Sequence, residues 1–301
     1  MSQVDTKHRE IKIAHTDYPS ALRNIPNPPA QVFVRGEIDG LDNSPAIAIV
    51  GTRKATVAGI KLAERLAEEL GRAGLTIISG LATGIDAAAH RGALKAGARA
   101  IAVLAAGVDK IYPAQNNKLA DEILEKGGAI ISEYKDREYV KAQFVQRNRI
   151  VSGLSLGVLA IEAPERSGTV STAGHAAEQG KTVFVVPGPI SHENYVGSHK
   201  LIRDGARLVT TSDDIIDDLI ADFPQLENIL RRKSIGDEGE SQKLESDIER
   251  AIVMMIKLSG EPMTIDKIIE DSKLDPQEVS QTIAFLTIKG ILKETANKYT
   301  L

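Results

Sequence analysis

Three segments rich in glycine, serine and threonine each follow an apolar, β-branched run, and they are the first candidates for chemistry. They are Gly51-Thr52-Arg53-Lys54, the stretch from Ser79-Gly80 to Asp86, and the stretch from Glu162 to Thr172 that contains Arg166-Ser167-Gly168-Thr169. Glycine permits close approach of a ligand, and the free N–H groups of a following helix favour anions. Any one such loop is equally well explained as a simple turn and cap. Three of them in one chain favour an anion-binding cleft.

A basic run from Lys141 to Arg149 is the second candidate. Four of its residues recur at spacings of three and four and share one helical face: Lys141, Phe144, Arg147 and Asn148. Cations that follow phosphates, beside a ring that stacks on a base, are typical of single-stranded nucleic-acid sites. The competing interpretation is an exposed helix with a half-buried phenylalanine, and the pattern alone leaves both open.

The sequence lacks the motifs of the common nucleotide-dependent enzymes and metal sites. No G-x-G-x-x-G follows the first apolar run and no G-x-x-x-x-G-K-[ST] occurs, which disfavours a Rossmann dehydrogenase and a P-loop NTPase. The chain has no cysteine, and its six histidines show no metal-ligand spacing. Asp86 and His90 share a helical face, for which a local hydrogen bond or cap is the usual explanation. We therefore predict no cofactor, no metal and no catalytic residue, which leaves binding as the function.

From residue 46 onward, apolar runs alternate with helical patterns, and these predicted strands and helices must position the candidate residues. The predicted strands are Ala46–Val50, Leu75–Ile78, Ala100–Ala105, Ala129–Ser132, Val158–Glu162, Thr182–Val186 and Arg207–Val209. The predicted helices are Val57–Arg72, Ile85–Lys95, Asn116–Glu125, Val170–Gln179, Ser198–Arg203 and Asp213–Ile220. Continuous apolar strands between helices predict a Rossmann-like, doubly wound α/β sheet that is mostly parallel.

The remaining segments predict the domain organisation. Residues 1–45 contain turns and one short strand around Val32, and we expect them to pack on the main domain, 46–222. Residues 223–245 have the composition of a linker, with little apolar content and mixed charge over 231–245. Residues 246–301 show three short helical patterns and a hairpin, which predicts a small winged-helix domain.

The charge balance differs between these parts of the chain. The net charge of −4 consists of −1 over residues 1–45, +3 over 46–215 and −6 over 216–301. An acidic C-terminal third therefore masks a mildly basic centre, which is a weak indication of a polyanion partner. No apolar stretch is long enough to span a bilayer and no secretion signal is visible at the N-terminus, so we expect a cytoplasmic protein without membrane contact.

Taken together, the motifs resemble those of the DNA-processing protein A (DprA, also called Smf) family. The matching segments keep the family's order: Ala48 to Arg53, Ser79 to His90, Tyr112-Pro113, Ser132-Glu133, Phe144 to Arg149, Ser167-Gly168-Thr169, Pro187-Gly188 and Gly197 to Ile202. The resemblance implies a recombination mediator without enzymatic activity. Such a protein binds and protects incoming single-stranded DNA, forms a homodimer and helps to load the RecA recombinase during DNA uptake and natural transformation.

The resemblance also implies roles for individual residues. Arg53 would contact phosphate, and Lys141 and Phe144 would supply a cation and a stacking ring. The other residues expected to line or shape a DNA-binding pocket are Gly51, Thr52, Lys54, Ser79, Gly80, Arg147, Asn148, Arg149, Arg166, Ser167, Gly168 and Thr169. An internal role for Arg147 or Arg149, paired with Glu162 or Glu133, is the alternative.

Two other functions remain open at this point. The main rival is a nucleotide-processing Rossmann-like hydrolase similar to the phosphoribohydrolases, whose P-G-G-x-G-T-x-x-E motif ends in an essential glutamate. Thr172 occupies that position here, so Glu162 or Glu178 would have to replace it. The third possibility is an adaptor that holds a small nucleotide. In the C-terminal domain, the expected recognition helix, 275–289, has no cation before its last turn, which favours a protein-binding module or regulatory lid over a duplex-DNA reader.

Overall fold

In the computed structural model, which describes residues 8–138, 140–230, 247–259, 262–272, 274–288, 291–295 and 298–300, the apolar runs form a nine-stranded sheet. Its strands are β1 (Arg9–Lys12), β2 (Gln31–Gly36), β3 (Ala46–Gly51), β4 (Thr76–Ser79), β5 (Ala100–Leu104), β6 (Ala129–Ser132), β7 (Gly157–Ile161), β8 (Thr182–Val185) and β9 (Arg207–Leu208). They lie in the order β1-β2-β6-β5-β4-β3-β7-β8-β9. Strands β3 to β9 pair in parallel, which confirms the doubly wound fold.

Between residues 8 and 222 of the described chain, eight α-helices flank the sheet. They are α1 (Ser20–Arg23), α2 (Val57–Arg72), α3 (Ile85–Lys95), α4 (Asn117–Glu125), α5 (Lys141–Gly153), α6 (Gly168–Glu178), α7 (Val196–Arg203) and α8 (Ser212–Asp222). Leu66, Leu70 and Ile123 belong to the apolar cluster on one face of the sheet. Leu22, Ile150 and Ala176 belong to a second cluster on the other face. Both faces are therefore covered, as the uninterrupted apolar strands require.

The N-terminal segment differs from the prediction of a single strand packed on the domain. It supplies two strands, β1 and β2, and β2 pairs antiparallel with β6, so the segment extends the sheet itself. The sequence pattern did not predict β1, because only Ile11 of its four residues, Arg-Glu-Ile-Lys, is buried. An edge strand with one buried side chain produces almost no apolar pattern.

Two compact units divide the chain, 1–234 and 235–301. The first unit ends where the sequence predicts the start of a linker. A 3₁₀ turn (Pro224–Leu226) lies there, and Leu230 after it is buried in the core. Most of the predicted linker, residues 231–245, lies outside the described residues. Among the described residues, no helix is both long and apolar enough to cross a membrane.

The second unit contains α9 (Asp247–Ser259), α10 (Ile265–Ser272) and α11 (Pro276–Ile288), followed by β10 (Lys293–Thr295) and β11 (Lys298–Thr300). The two strands pair antiparallel. Ile252, Ile268 and Leu286 are among the residues of a separate small core. The order of three helices and a hairpin is the one expected from the sequence, while the winged-helix assignment remains a prediction.

Candidate functional site

A pocket of about 600 Å³ lies at the carboxyl ends of the parallel strands. Strands β3 and β7 are neighbours there, but their connections lead to opposite sides of the sheet. The crevice at such a switch point is where open α/β sheets bind ligands. The loop after β3, the loop after β7 and helix α5 form much of the wall, so the segments singled out in the sequence come together in one place. The lining includes twelve of the fifteen predicted residues: Gly51, Thr52, Arg53, Lys54, Gly80, Phe144, Arg147, Asn148, Arg166, Ser167, Gly168 and Thr169.

The cations at the rim of the pocket are Arg53, Lys54 and Arg166, all of them exposed. Backbone hydrogen bonds fix the loop that carries the first two. Thr52 N–H donates to the Glu162 carbonyl at 3.0 Å, and the Asn194 side-chain amide donates to the Lys54 carbonyl at 3.1 Å. The backbone beneath these cations is therefore held in place before any ligand arrives.

Phe144 lies between two other side chains of the pocket. The Arg53 guanidinium carbon is 4.5 Å from the ring centroid, within cation–π range. The ring of Tyr112 meets Phe144 edge to face, with centroids 6.1 Å apart and an interplanar angle of 62°. Phe144 thus keeps Arg53 against the pocket, and Arg53 covers part of the ring surface.

The floor of the pocket carries two buried charges, Asp86 and Arg147. The Arg147 side chain donates from Nη1 to the Val103 carbonyl at 2.5 Å, and Asp86 Oδ2 accepts from the Ala82 N–H at 3.4 Å. Burial raises the pKa of Asp86, and the charge of Arg147 partly offsets that rise. Burial lowers the pKa of Arg147, although Asp86 opposes the shift.

The glycines of the three loops serve different purposes. A Cβ at Gly80 would overlap the Arg147 guanidinium, and a Cβ at Gly51 would overlap the Ile161 carbonyl and Ile85. Both positions are thus kept small by the protein's own packing rather than by a ligand. At Gly168 the nearest atom to such a Cβ is Asn148 Nδ2 at 3.8 Å, which leaves room for a ligand.

Residue Gly168 also begins helix α6, whose first turn faces the pocket. Ser167 caps the helix, its hydroxyl accepting from the Val170 N–H at 3.3 Å. Asn148 donates its side-chain amide to the Gly168 carbonyl at 3.1 Å, which ties α5 to α6. Thr169 is buried, and its hydroxyl has no hydrogen-bond partner among the described residues.

Among the predicted residues whose side chains the structure describes, Ser79 and Arg149 are not in the lining of the pocket. The hydroxyl of Ser79 is fully buried and donates to the Ile49 carbonyl at 2.6 Å, so it joins β4 to β3. Arg149 binds Glu133 through two nitrogens at 2.8 and 3.0 Å, the internal pairing named above as the alternative. Two residues along a helix from Arg147, it points away from the pocket. Lys141 begins α5, but its side chain lies outside the described residues.

Glu162, a candidate catalytic residue in the hydrolase alternative, has a structural role. Its buried carboxylate accepts hydrogen bonds from the backbone and hydroxyl of Thr56, the amide of Asn194 and the hydroxyl of Tyr195. Its φ of 51° lies in the left-handed region, which is unusual for a residue with a side chain. Glu162 therefore fastens the loop after β3 to the segment before α7.

The sequence contains G-x-S-x-G from Gly153 to Gly157, the pattern of a serine-nucleophile elbow, and here its role is structural. It precedes β7, whereas a nucleophile elbow follows a strand. Ser155 is buried, and its hydroxyl donates to the Ser152 carbonyl at 2.9 Å.

Sequence reasoning did not assign three polar residues of the pocket lining as binding residues, Thr172, Asp86 and Tyr112. Thr172 was singled out only at the position of the hydrolase glutamate. Asp86 was assigned only a local role on α3, although it follows one of the glycine-rich loops. Tyr112 was noted only as part of a Tyr-Pro motif. Periodicity could not place either of them, because each reaches the pocket through the arrangement of α3 and the 105–116 loop rather than through a spacing along the chain.

A doubly wound sheet with a cation-rimmed pocket at its switch point defines a Rossmann-like ligand-binding protein. Residues 9–220 match the family model of DNA recombination-mediator protein A. Protein Smf of Escherichia coli K12 is 44% identical over 208 residues, which cover 69% of this chain and 53% of that protein.

Two solved structures show the same fold. The X-ray structure of DNA processing protein A (DprA) from Streptococcus pneumoniae matches with a TM-score of 0.66 and 39% identity, covering 70% of this chain and 74% of that one. DNA processing protein A from Helicobacter pylori, described for its unique single-stranded DNA binding mode, matches with a TM-score of 0.63 and 30% identity, covering 72% and 97%. The chain belongs to the DNA recombination-mediator protein A family, as its resemblance to DprA and Smf indicated. Its match spans about half the length of the E. coli relative.

Proposed function

We propose that this protein binds single-stranded DNA in the pocket at the β3–β7 switch point and acts as a recombination mediator. The observation that carries the proposal is the arrangement of Arg53 and Phe144 beside two further rim cations. Arg53, Lys54 and Arg166 provide positive charge at the mouth of the pocket. There they can contact the phosphates of a strand whose backbone stays in water. Phe144 and Tyr112 provide aromatic surface on which a base can stack. The relative from Helicobacter pylori supports the same ligand.

Binding rather than hydrolysis is favoured by the three positions on which the hydrolase alternative depends. The position of the phosphoribohydrolase glutamate holds Thr172, whose hydroxyl donates to the Gly168 carbonyl at 3.0 Å. The carboxylate of Glu162 is occupied by four donors from its own fold. Glu178 lies at the far end of α6 from the pocket and pairs with His175 at 3.3 Å. None of the three is available as a general base in the pocket.

The finer parts of the proposal concern partners. We propose that the protein forms a homodimer, protects incoming single strands and delivers them to RecA, in the cytoplasm, during DNA uptake. The mass in solution with and without oligonucleotide tests the dimer. A RecA filament-formation assay on strands coated with this protein tests the delivery.

The decisive experiment for the site is the binding of fluorescent oligo-dT at several salt concentrations. A site that neutralises phosphates loses affinity steeply as salt rises. Arg53→Ala should weaken binding and reduce the slope of log affinity against log salt by about one. Lys61→Ala, which removes an exposed cation of α2 outside the pocket, is the matched control and should leave both quantities unchanged. Equal effects of the two variants would refute the pocket assignment.

The rival activity has its own test. Incubation of the protein with nucleoside monophosphates should release no free base, and measurable release would favour the hydrolase.

A further inference from the structure

Helix α5, which supplies part of the pocket wall, has its buried apolar side chains at one end only. Between Ala142 and Arg149, every buried side chain of the helix is polar: Gln143, Arg147, Asn148 and Arg149. Buried apolar side chains follow at Ile150 and Val151, in the last turn. Because apolar packing is what fixes most helices on their domain, the position of α5 depends strongly on how this last turn is held.

A lysine from another element holds that turn. The last turn of α5 contains no basic residue, and its carbonyls have no partners within the helix. Lys181, in the turn between α6 and β8, donates from Nζ to the Ser152 carbonyl at 2.7 Å and to the Gly153 carbonyl at 2.6 Å. Its ammonium therefore lies at the negative end of the helix dipole. Gln179 adds a third contact, its side-chain amide donating to the Arg149 carbonyl at 3.0 Å.

The place of this ammonium is unfavourable for a charge in every other respect. Burial lowers the pKa of Lys181 from 10.5 to about 8. No ion pair joins it to a carboxylate among the described residues, and Glu178, the acid before it in the chain, pairs with His175. A buried charge regains its lost hydration only from the groups that it contacts, which here are the carbonyls of α5. An exposed side chain would suffice if this turn only connected α6 to β8.

We propose that Lys181 is a positioning residue for single-stranded DNA binding, because its ammonium fixes the end of α5 and thereby keeps Phe144 and Arg147 in the pocket wall. This proposal rests on the proposed function and names a residue outside the pocket that serves it. Phe144 lies about 13 Å along the helix axis from Gly153, so a tilt of about 10° at that end would displace its ring by about 2 Å. Arg53, which stacks on the ring, would lose its contact.

The first measurement follows the position of Phe144 without DNA. The full chain is labelled with para-fluorophenylalanine, and the Phe144 resonance among the five phenylalanines is identified by its absence in Phe144→Leu. Lys181→Met, which keeps the stem and removes the ammonium, should shift or broaden this resonance. Lys181→Arg, whose guanidinium can donate to the same carbonyls, should restore it. Lys126→Met, which removes an exposed lysine at the end of α4, is the matched control and should leave it unchanged.

The second measurement is the affinity for oligo-dT. Lys181→Met should weaken binding about tenfold, the equivalent of one hydrogen bond from a charged donor, while the salt slope stays as in the wild type because no phosphate contact is lost. Lys181→Arg and Lys126→Met should bind like the wild type. Ile123→Val, which destabilises the apolar cluster on the other face of the sheet, should also keep its affinity and so separates positioning from stability. Thermal unfolding verifies folding, and Gln179→Ala, with a smaller effect in the same direction, replaces Lys181→Met if that variant does not fold.

The results distinguish this proposal from the proposed function. If folded Lys181→Met keeps both the wild-type resonance and the wild-type affinity while Arg53→Ala weakens binding, the positioning role is wrong and the proposed function stands. A loss of affinity with an unchanged resonance, or with a reduced salt slope, also overturns it, since Lys181 would then act on the strand and not through α5. If the resonance shifts but the wild-type protein binds no oligo-dT, the proposed function fails, and with it the role of Lys181 in binding.

Discussion

Lowering the pH from 6.5 to 5 should destabilise this protein through one histidine. His90 is fully buried on α3, and neither of its ring nitrogens has a hydrogen-bond partner among the described residues. Burial, together with the neighbouring positive charges of Arg147 and Arg91, lowers its pKa from 6.5 to about 3. Below pH 6.5 the unfolded chain therefore binds a proton at this residue that the folded chain does not bind.

The sign and the size follow from proton linkage. Because the unfolded state binds the extra proton, the free energy of unfolding falls as the pH falls through the window between 6.5 and about 3. One pH unit in this window costs about 1.4 kcal/mol, so about 2 kcal/mol is lost between pH 6.5 and pH 5. That is a sizeable share of the ~5–15 kcal/mol by which domains are stable.

Urea unfolding at pH 7, 6 and 5 measures this contribution. Other groups also titrate, so the informative quantity is the difference in pH slope between the wild type and His90→Leu, with His90→Gln as a second variant. The wild type should lose about 1.4 kcal/mol more per pH unit below 6.5. Ile123→Val, which destabilises the same core without removing a titratable group, should keep the wild-type slope. Parallel slopes for the wild type and both His90 variants would refute the reasoning.

Three further variants test the pocket wall and the packing around it. Phe144→Ala should weaken oligo-dT binding by ~1–3 kcal/mol in an anisotropy titration, because a stacking surface is lost; an altered salt slope would instead mean that the ring acts mainly by holding Arg53. Arg149→Ala should lower the free energy of unfolding by about 3 kcal/mol in urea, because it leaves the Glu133 carboxylate without its partner. The same variant should bind oligo-dT like the wild type, and reduced affinity would place Arg149 in the site after all. Gly80→Ala should cost about 1–3 kcal/mol in thermal unfolding by displacing the Arg147 guanidinium, and an unchanged melting temperature would contradict the close packing.

Much of the sheet domain was predictable because its elements have strong local signals. Helix α2 was predicted from Val57 to Arg72 and is found with those bounds, since its apolar spacing continues over four turns and Thr56 caps its start. Helix α6 begins at Gly168, two residues before the predicted start. The sequence contained the signal, a serine at 167 that caps the first turn, but the apolar pattern starts only at Val170.

The site was predictable as a group of loops and only partly residue by residue. Phe144, Arg147 and Asn148 share a helical face and line the pocket together. A place for Arg149 in the pocket was expected only from the family resemblance, and its position on the helix is about 200° from Arg147. Which charges would be buried was not accessible from the sequence, because the fold of the sheet brings Asp86 of α3 and Arg147 of α5 to the same pocket.

The N-terminal segment determines where a working fragment can begin. Tyr18 is fully buried and donates its hydroxyl to the Pro29 carbonyl at 2.7 Å, and Leu22 and Ile25 lie against Gly153 at the end of α5. A fragment that starts at residue 46 keeps every side chain that lines the pocket. It also uncovers the apolar face on which α5 rests and turns β6 into an exposed edge, the kind of surface that drives aggregation during expression. The smallest recombinant piece that retains the pocket therefore has to include the segment before the first parallel strand, although none of its described residues lines the pocket.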